Sequence, residues 1–179
     1  MKRTFLYSLF CGAMLCGMLN HGFAQTSDYD TNSKIQALFI HSFLKYVEWP
    51  PGSTSGTFTI GIYGEYPSLF NELSTMASKK STTNLKIEVV NYLRISQLQN
   101  CEILYVTAGD ISDMPDIKAK LGKSATLTIT DQPEGTNSGA GINFYYQEGK
   151  QKMEIFTKNI EPQNLKVSSS LKAITKINE

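Results

Sequence analysis

The stretch from Ser33 to Pro51, SKIQALFIHSFLKYVEWPP, constrains the fold more than any other part of the chain, because it reads as a complete amphipathic helix closed by a double-proline stop. Apolar residues Ile35, Leu38, Phe39, Phe43, Tyr46 and Val47 recur at the three-and-four spacing of one helical face, while Lys34, Gln36, His41, Lys45 and Glu48 stay polar. Ser33 followed by Gln36 has the pattern of a capping box, which predicts that the helix begins at Ser33. Pro50 and Pro51 cannot continue it. Such a helix buries its apolar stripe and leaves the polar stripe at His41, Lys45 and Glu48 in water, free to meet a partner.

Residues 1–24 have the makeup of a cleaved secretory signal. Lys2 and Arg3 supply the positive start, Phe5 to Leu19 the apolar stretch, and Gly22-Phe23-Ala24 a cleavage site before Gln25. The apolar stretch is short for a bilayer span and is interrupted by Ser8, Gly12 and Gly17. Lipidation is disfavoured, since Phe10 and Leu15 precede Cys11 and Cys16 where a small residue is required. Residues 25–32, QTSDYDTN, read as a flexible polar lead-in, and 33–179 as one domain, long enough for a real core and too short for two. With 17 Lys and Arg against 16 Asp and Glu, and two basic residues lost with the signal, the exported chain is near neutral. No dense basic run favours nucleic acid. Of three cysteines only Cys101 survives cleavage, so no internal disulfide can form.

Further along, Thr57 to Tyr63 reads as a strand, and Pro67 to Ala77 as a helix with Leu69, Phe70, Leu73 and Met76 on one side. Lys86 to Tyr92 and Glu102 to Thr107 read as strands, followed by a short helix from Pro115 to Leu121 with Asp113 as its N-cap. Ala125 to Thr130 is a fourth strand. Ile142 to Tyr146 and Lys152 to Phe156 flank a turn-rich break and predict an antiparallel hairpin. A closing helix is expected from about Ser168 to Ile177, with Asn164 in a left-handed turn before it. Strands alternating with helices predict an α/β fold: a single compact domain with a mainly parallel sheet flanked by helices and an antiparallel hairpin extension.

Little of this carries catalytic chemistry. His21 leaves with the signal and His41 stands alone, with Lys45 one turn away to oppose a bound cation, so no metal site or triad is expected. Gly135, Gly139 and Gly141 open a strand where a dinucleotide loop would close one, and Gly61 to Gly64 lacks a lysine and a third spaced glycine. Asp110, Asp113, Asp116 and Asp131 fall in loops after strands, where α/β proteins place ligands, although Asp113 and Asp116 suit a helix start. Ser168-Ser169-Ser170 reads as a polar cap and Cys101 as a buried, inert thiol. Among Trp49, Tyr63, Tyr66, Phe144, Tyr145 and Tyr146, alternation sets Tyr145 on the face opposite Phe144 and Tyr146, which makes Tyr145 a candidate for contact with another protein unless helices cover both faces.

The string Ala37, Phe39, Ile40, Phe43, Lys45 to Pro50 resembles the opening signature of the YfiR family of small periplasmic regulators, which includes HmsC-like proteins. Gly64 and Pro67, Cys101 to Tyr105, Leu127 to Asp131, Gly141-Ile142-Asn143-Phe144 and Leu165 to Ser169 agree in order. Ala37, Phe39, Phe43, Trp49 and Pro50 would be its structural residues. The resemblance implies a non-catalytic periplasmic protein without cofactor that binds and inhibits the periplasmic part of a membrane signalling protein, a diguanylate cyclase or a sensor kinase. Homodimers are compatible with it. A periplasmic small-ligand binding domain is the alternative, and a hydrolase using the loop acids a third. Relatives often carry several mature cysteines and an Asn where this chain has Phe156; here redox control through internal disulfides has no basis. If the signal is read correctly, N-terminal sequencing of the periplasmic protein gives Gln25 as the first residue; recovery of Met1 in a membrane fraction contradicts it.

Overall fold

The computed structural model describes residues 26–52 and 56–178. The expected signal segment and the proposed cleavage site lie outside them. A seven-stranded sheet has the order β3-β2-β4-β5-β6-β7-β9, where β2 is Gly56–Tyr63, β3 Leu85–Tyr92, β4 Ile103–Val106, β5 Leu127–Asp131, β6 Ile142–Gln147, β7 Lys150–Phe156 and β9 Lys176–Asn178. The first five of these run parallel, β6 and β7 pair antiparallel, and β7 pairs parallel with β9. The α/β expectation, with a mainly parallel sheet and an antiparallel extension, matches this architecture.

Strict alternation sorts the sheet into two faces. Phe58, Ile60 and Ile62 on β2, Ile103 and Tyr105 on β4, Leu127 and Ile129 on β5, and Ile142 and Phe144 on β6 form one core. Helices α1 (Thr26–Tyr46) and α2 (Pro67–Lys80) cover it with Ala37, Ile40, Phe43, Leu69, Leu73 and Ala77. The other face holds a smaller core, in which Leu104 and Val106 meet Met114, Ile117 and Leu121 of α3 (Met114–Leu121).

The first helix departs from its sequence reading in three ways. It starts at Thr26, so the segment expected as a flexible lead-in is helical as far as it is described. Ser33 is therefore no cap: it is fully buried within the helix, its Oγ 2.7 Å from Ser68 Oγ on α2. Finally, the buried stripe is Ser33, Gln36, Ala37, Ile40 and Phe43, rotated about one residue from the expected one. The helix stops at Tyr46, four residues before Pro50, because Val47 and Glu48 form a short strand, β1, that pairs with Lys166 and Val167 of β8.

The hairpin turns on Glu148 and Gly149, both with positive φ of 53° and 70°, the conformation that matches the twist of paired strands. At the C-terminus Asn164 adopts the left-handed conformation expected of it. The closing helix is only α5, Ser169–Lys172, after a four-residue helix α4, Thr157–Ile160. Ser168 caps α5, its Oγ accepting from the Leu171 amide at 3.3 Å. Lys176 and Ile177, expected to be helical, instead belong with Asn178 to β9 of the sheet.

Trp49 is half-buried, its ring 5.2 Å from that of Phe58 in an edge contact and its indole N–H donating to the Glu102 carbonyl at 3.3 Å. Replacing Trp49 with Ala is expected to cost about 2–3 kcal/mol, below the value for a fully buried tryptophan. Urea denaturation measures it; an unchanged midpoint would show that the ring does not anchor the end of α1.

Candidate partner-binding face and carboxyl edge of the sheet

Because α1 seats its Ala37, Ile40 and Phe43 stripe on the sheet, the residues that looked most like a core face turn outward. Leu38 is 61 % exposed, and Ile35, Phe39 and Tyr46 are half-buried. Ile174, 73 % exposed after α5, stands across a groove of about 450 Å³ from Leu38. Phe39 forms part of both this groove and a second one, of about 620 Å³, that reaches Ile35 and the exposed Tyr146. Phe39 is held there by ring contact with Phe144 at 6.0 Å. The result is a run of apolar side chains, on two sides of α1's outer surface, that the described fold does not cover.

The expected contact residues distribute unevenly around this run. Lys45 is exposed at its edge, with its Nζ 5.3 Å from the Tyr46 ring centre. Glu48 is exposed but lies on β1, beyond the helix, so His41, Lys45 and Glu48 are not one helical stripe. His41 is half-buried on the side facing α2; burial, and then the Lys80 cation, hold its pKa below the ordinary histidine value. Tyr145 is a correction: only 7 % exposed, it points to the second face of the sheet, and the aromatic that meets water is its neighbour Tyr146, at 48 %. Alternation separated the two residues correctly, but which face is covered is a matter of tertiary packing that the local pattern does not show. Ala37 and Phe43 are fully buried, while Pro50 is half-exposed.

The loop acids also separate. Asp113 does not cap α3 with its side chain; it accepts the Tyr63 hydroxyl at 2.7 Å. Burial first, and this acceptor second, push the Tyr63 phenol up to about 12. Asp110 accepts from the Thr107 hydroxyl and sits over Gly64, whose φ is +98° and where a Cβ would come within 2.1 Å of the carboxylate. Asp131 ends β5 beside it, and burial raises its carboxyl above the ordinary range, against the opposing pull of the Tyr105 hydroxyl and the nearby backbone. Among the described residues, no group of three His, Cys, Asp or Glu could hold a metal ion.

One cluster escaped the sequence reading. Glu154 on β7 is fully buried on the second face. Its Oε1 accepts from Asn143 Nδ2 and the Gly135 amide, both at 2.8 Å, and its Oε2 from Asn178 Nδ2 at 2.8 Å, with Lys176 Nζ 3.9 Å away. Asn143 in turn binds the Gln132 amide and carbonyl at 2.7 and 3.1 Å. Three amide donors offset the desolvation of a carboxylate that would otherwise not be buried. They tie β6, β7, β9 and the loop 132–141 together. The available signal was register: Glu154 lies between Met153 and Ile155 in a strand, and Asn143 between Ile142 and Phe144.

A sequence profile of the YfiR/HmsC-like family matches residues 33–174. The chain belongs to the YfiR/HmsC-like family. No curated protein matches it individually. Membership makes the chain one of a family of periplasmic proteins that are regulatory rather than catalytic and implies a role in diguanylate cyclase signalling. No helix among the described residues is long and apolar enough to cross a membrane.

Cys101, 5 % exposed, is the free thiol among the described residues, and burial pushes it up to about 12 from 9.0. The folded state thus keeps the Cys101 and Tyr63 protons at pH values where the unfolded chain releases them. Their contribution to stability is complete below pH 9.0 and is lost as pH rises toward about 12. Ellman's reagent should modify native Cys101 only as fast as the protein opens, and unfolding titrations should show stability falling across that alkaline window. Rapid modification of the native protein at neutral pH contradicts the burial argument.

Proposed function

We propose that this YfiR-like protein restrains a membrane signalling protein of the diguanylate cyclase type by binding its periplasmic part through the outer surface of α1. The observation that carries the reading is the apolar run at Leu38, Phe39, Tyr46 and Ile174, which a monomer leaves in water at a cost in solubility. Lys45 and His41 flank it and, with Glu48 beyond, supply the polar rim that gives orientation to an otherwise greasy contact. Inhibition follows if the bound partner conformation is the inactive one: binding then shifts the population, and loosening the contact releases it.

Leu38→Asp and Ile174→Asp test this directly. Both sites are exposed, so the thermal midpoint should stay close to that of the parent, the stability change being within about 0.5 kcal/mol. The cellular cyclic dinucleotide level should nevertheless rise toward that of a strain lacking the gene, and Lys45→Glu should move it in the same direction. If deletion leaves the level unchanged, regulation of a cyclase is wrong; if deletion raises it while all three variants behave as the parent, the contact is not on α1.

A further inference from the structure

β3 is the edge strand of the large sheet, paired with β2 on one side only. Along it, residues whose N–H and C=O reach β2 alternate with residues whose groups point away. Tyr92 belongs to the first set, its carbonyl accepting from the Gly64 amide at 2.9 Å. Leu85 and Ile87 belong to the second. The Leu85 carbonyl accepts from the Thr82 amide at 2.8 Å, its own amide donates to Thr82 Oγ1 at 3.1 Å, and the Ile87 amide donates to Ser81 Oγ at 2.9 Å. The edge closes again at Leu93, whose amide donates to Gln97 Oε1 at 3.0 Å. Between these closures the Ile87 carbonyl and both backbone groups of Val89 and Asn91 face outward, and no described group bonds them. Val89 is half-buried and Asn91 exposed, so this window meets water. Sheets commonly blunt such an edge with a proline, a bulge or an uncompensated charge. Here the ladder to β2 is unbroken, and Lys86 and Glu88 neutralise each other at 2.5 Å.

We propose that this edge pairs antiparallel with the same edge of a second copy of the chain, about a two-fold axis at Val89. That axis makes the open groups self-complementary. Each Val89 amide donates to the Val89 carbonyl of the other copy and each Asn91 amide to the other Ile87 carbonyl, while the Ile87 amide stays with Ser81. The neighbouring registers are worse. An axis at Ile87 needs the amide that Ser81 holds, one at Glu88 sets two carboxylates opposite each other, and one at Val90 sets Lys86 opposite Arg94. The axis at Val89 instead sets half-buried Leu85 opposite Leu93, which is 53 % exposed in the single chain. A strand from an unrelated protein would not require open groups balanced about one residue; a second copy does. Such a contact closes on itself as a dimer and joins the two sheets into one. No residue of β3 lines either groove beside α1, so the pairing stands whether or not that surface binds a partner.

Sedimentation velocity of the protein purified from the periplasm should show a dimer that dissociates on dilution, because the contact is small. Asn91→Pro removes an outward donor and places a ring at the edge, a position where strands tolerate proline. Glu88→Lys leaves each edge carrying two like charges close to the axis. Each variant should weaken association about tenfold or more while its thermal midpoint stays close to that of the parent. Cross-linking reads the position of the axis. In a hydrogen-bonded antiparallel pair the two Val89 Cα atoms lie about 5.5 Å apart, within reach of a disulfide. Val89→Cys should therefore give a linked dimer on mild oxidation, and Thr82→Cys, outside the paired window, should not; Cys101 is buried and takes no part. A monomer at every concentration, a dimer in which Val89→Cys stays unlinked, linkage at Thr82→Cys as ready as at Val89→Cys, or parental association in both Asn91→Pro and Glu88→Lys overturns the proposal.

Discussion

The seating of α1 on the sheet is the constraint from which the rest of this structure follows. A helix of 21 residues can bury one stripe, and here that stripe is Ala37, Ile40 and Phe43, with Phe43 stacked 6.4 Å from Phe144 in the middle of the larger core. Ser33 and Gln36 go inward with it, Ser33 bonded to Ser68. An inward polar pair on a helix with spare leucine and phenylalanine would be a poor choice if burial were the only demand. The rotation keeps Leu38, Phe39 and Tyr46 available at the surface, and the C-terminal segment places Ile174 beside them. The same choice thus links packing to the capacity for protein contact.

The second face of the sheet is organised by hydrogen bonds as much as by apolar packing. From β5 to β7 it presents Thr128, Thr130, Asn143 and Glu154, all buried, and the Gly135 amide brings the loop 132–141 down onto them. Asn178 reaches the same carboxylate from β9, so the C-terminal strand is fastened by a side-chain bond in addition to its ladder with β7. Removing any one donor leaves a buried charge partly unsatisfied, so this network favours a single arrangement of the loop. Tyr145 is buried on this face, near Glu134 of that loop and Glu154, whereas Tyr146 on the opposite face meets water.

Much of the fold was legible because it rests on local periodicity. The strands β2 to β7, the helices α2 and α3, the hairpin and the left-handed Asn164 all carry their signals within a few residues. The start of α1 was not legible, since a Ser-x-x-Gln pattern is indistinguishable in sequence from a cap, and here long-range bonds to α2 use the serine instead. The two-residue strands β1 and β8, and β9, form only because distant segments meet, which no local pattern encodes. The site was legible in composition but not in orientation: apolar residues on α1 were visible, and a rotation of about 100° per residue decides which of them face water. Asp110 and Asp131 were recognised as loop acids, whereas their convergence in one crevice is a product of the strand order.

The central claim is that the outward apolar surface of α1 is a protein-binding face. Hydrogen exchange of the chain, alone and with the purified periplasmic domain of a diguanylate cyclase proposed as its partner, measures that claim segment by segment. The account expects slowed exchange confined to residues 31–46 and 169–174, with the α3 side of the sheet unchanged. Slowed exchange at α3 and β3 while α1 exchanges as before would contradict it.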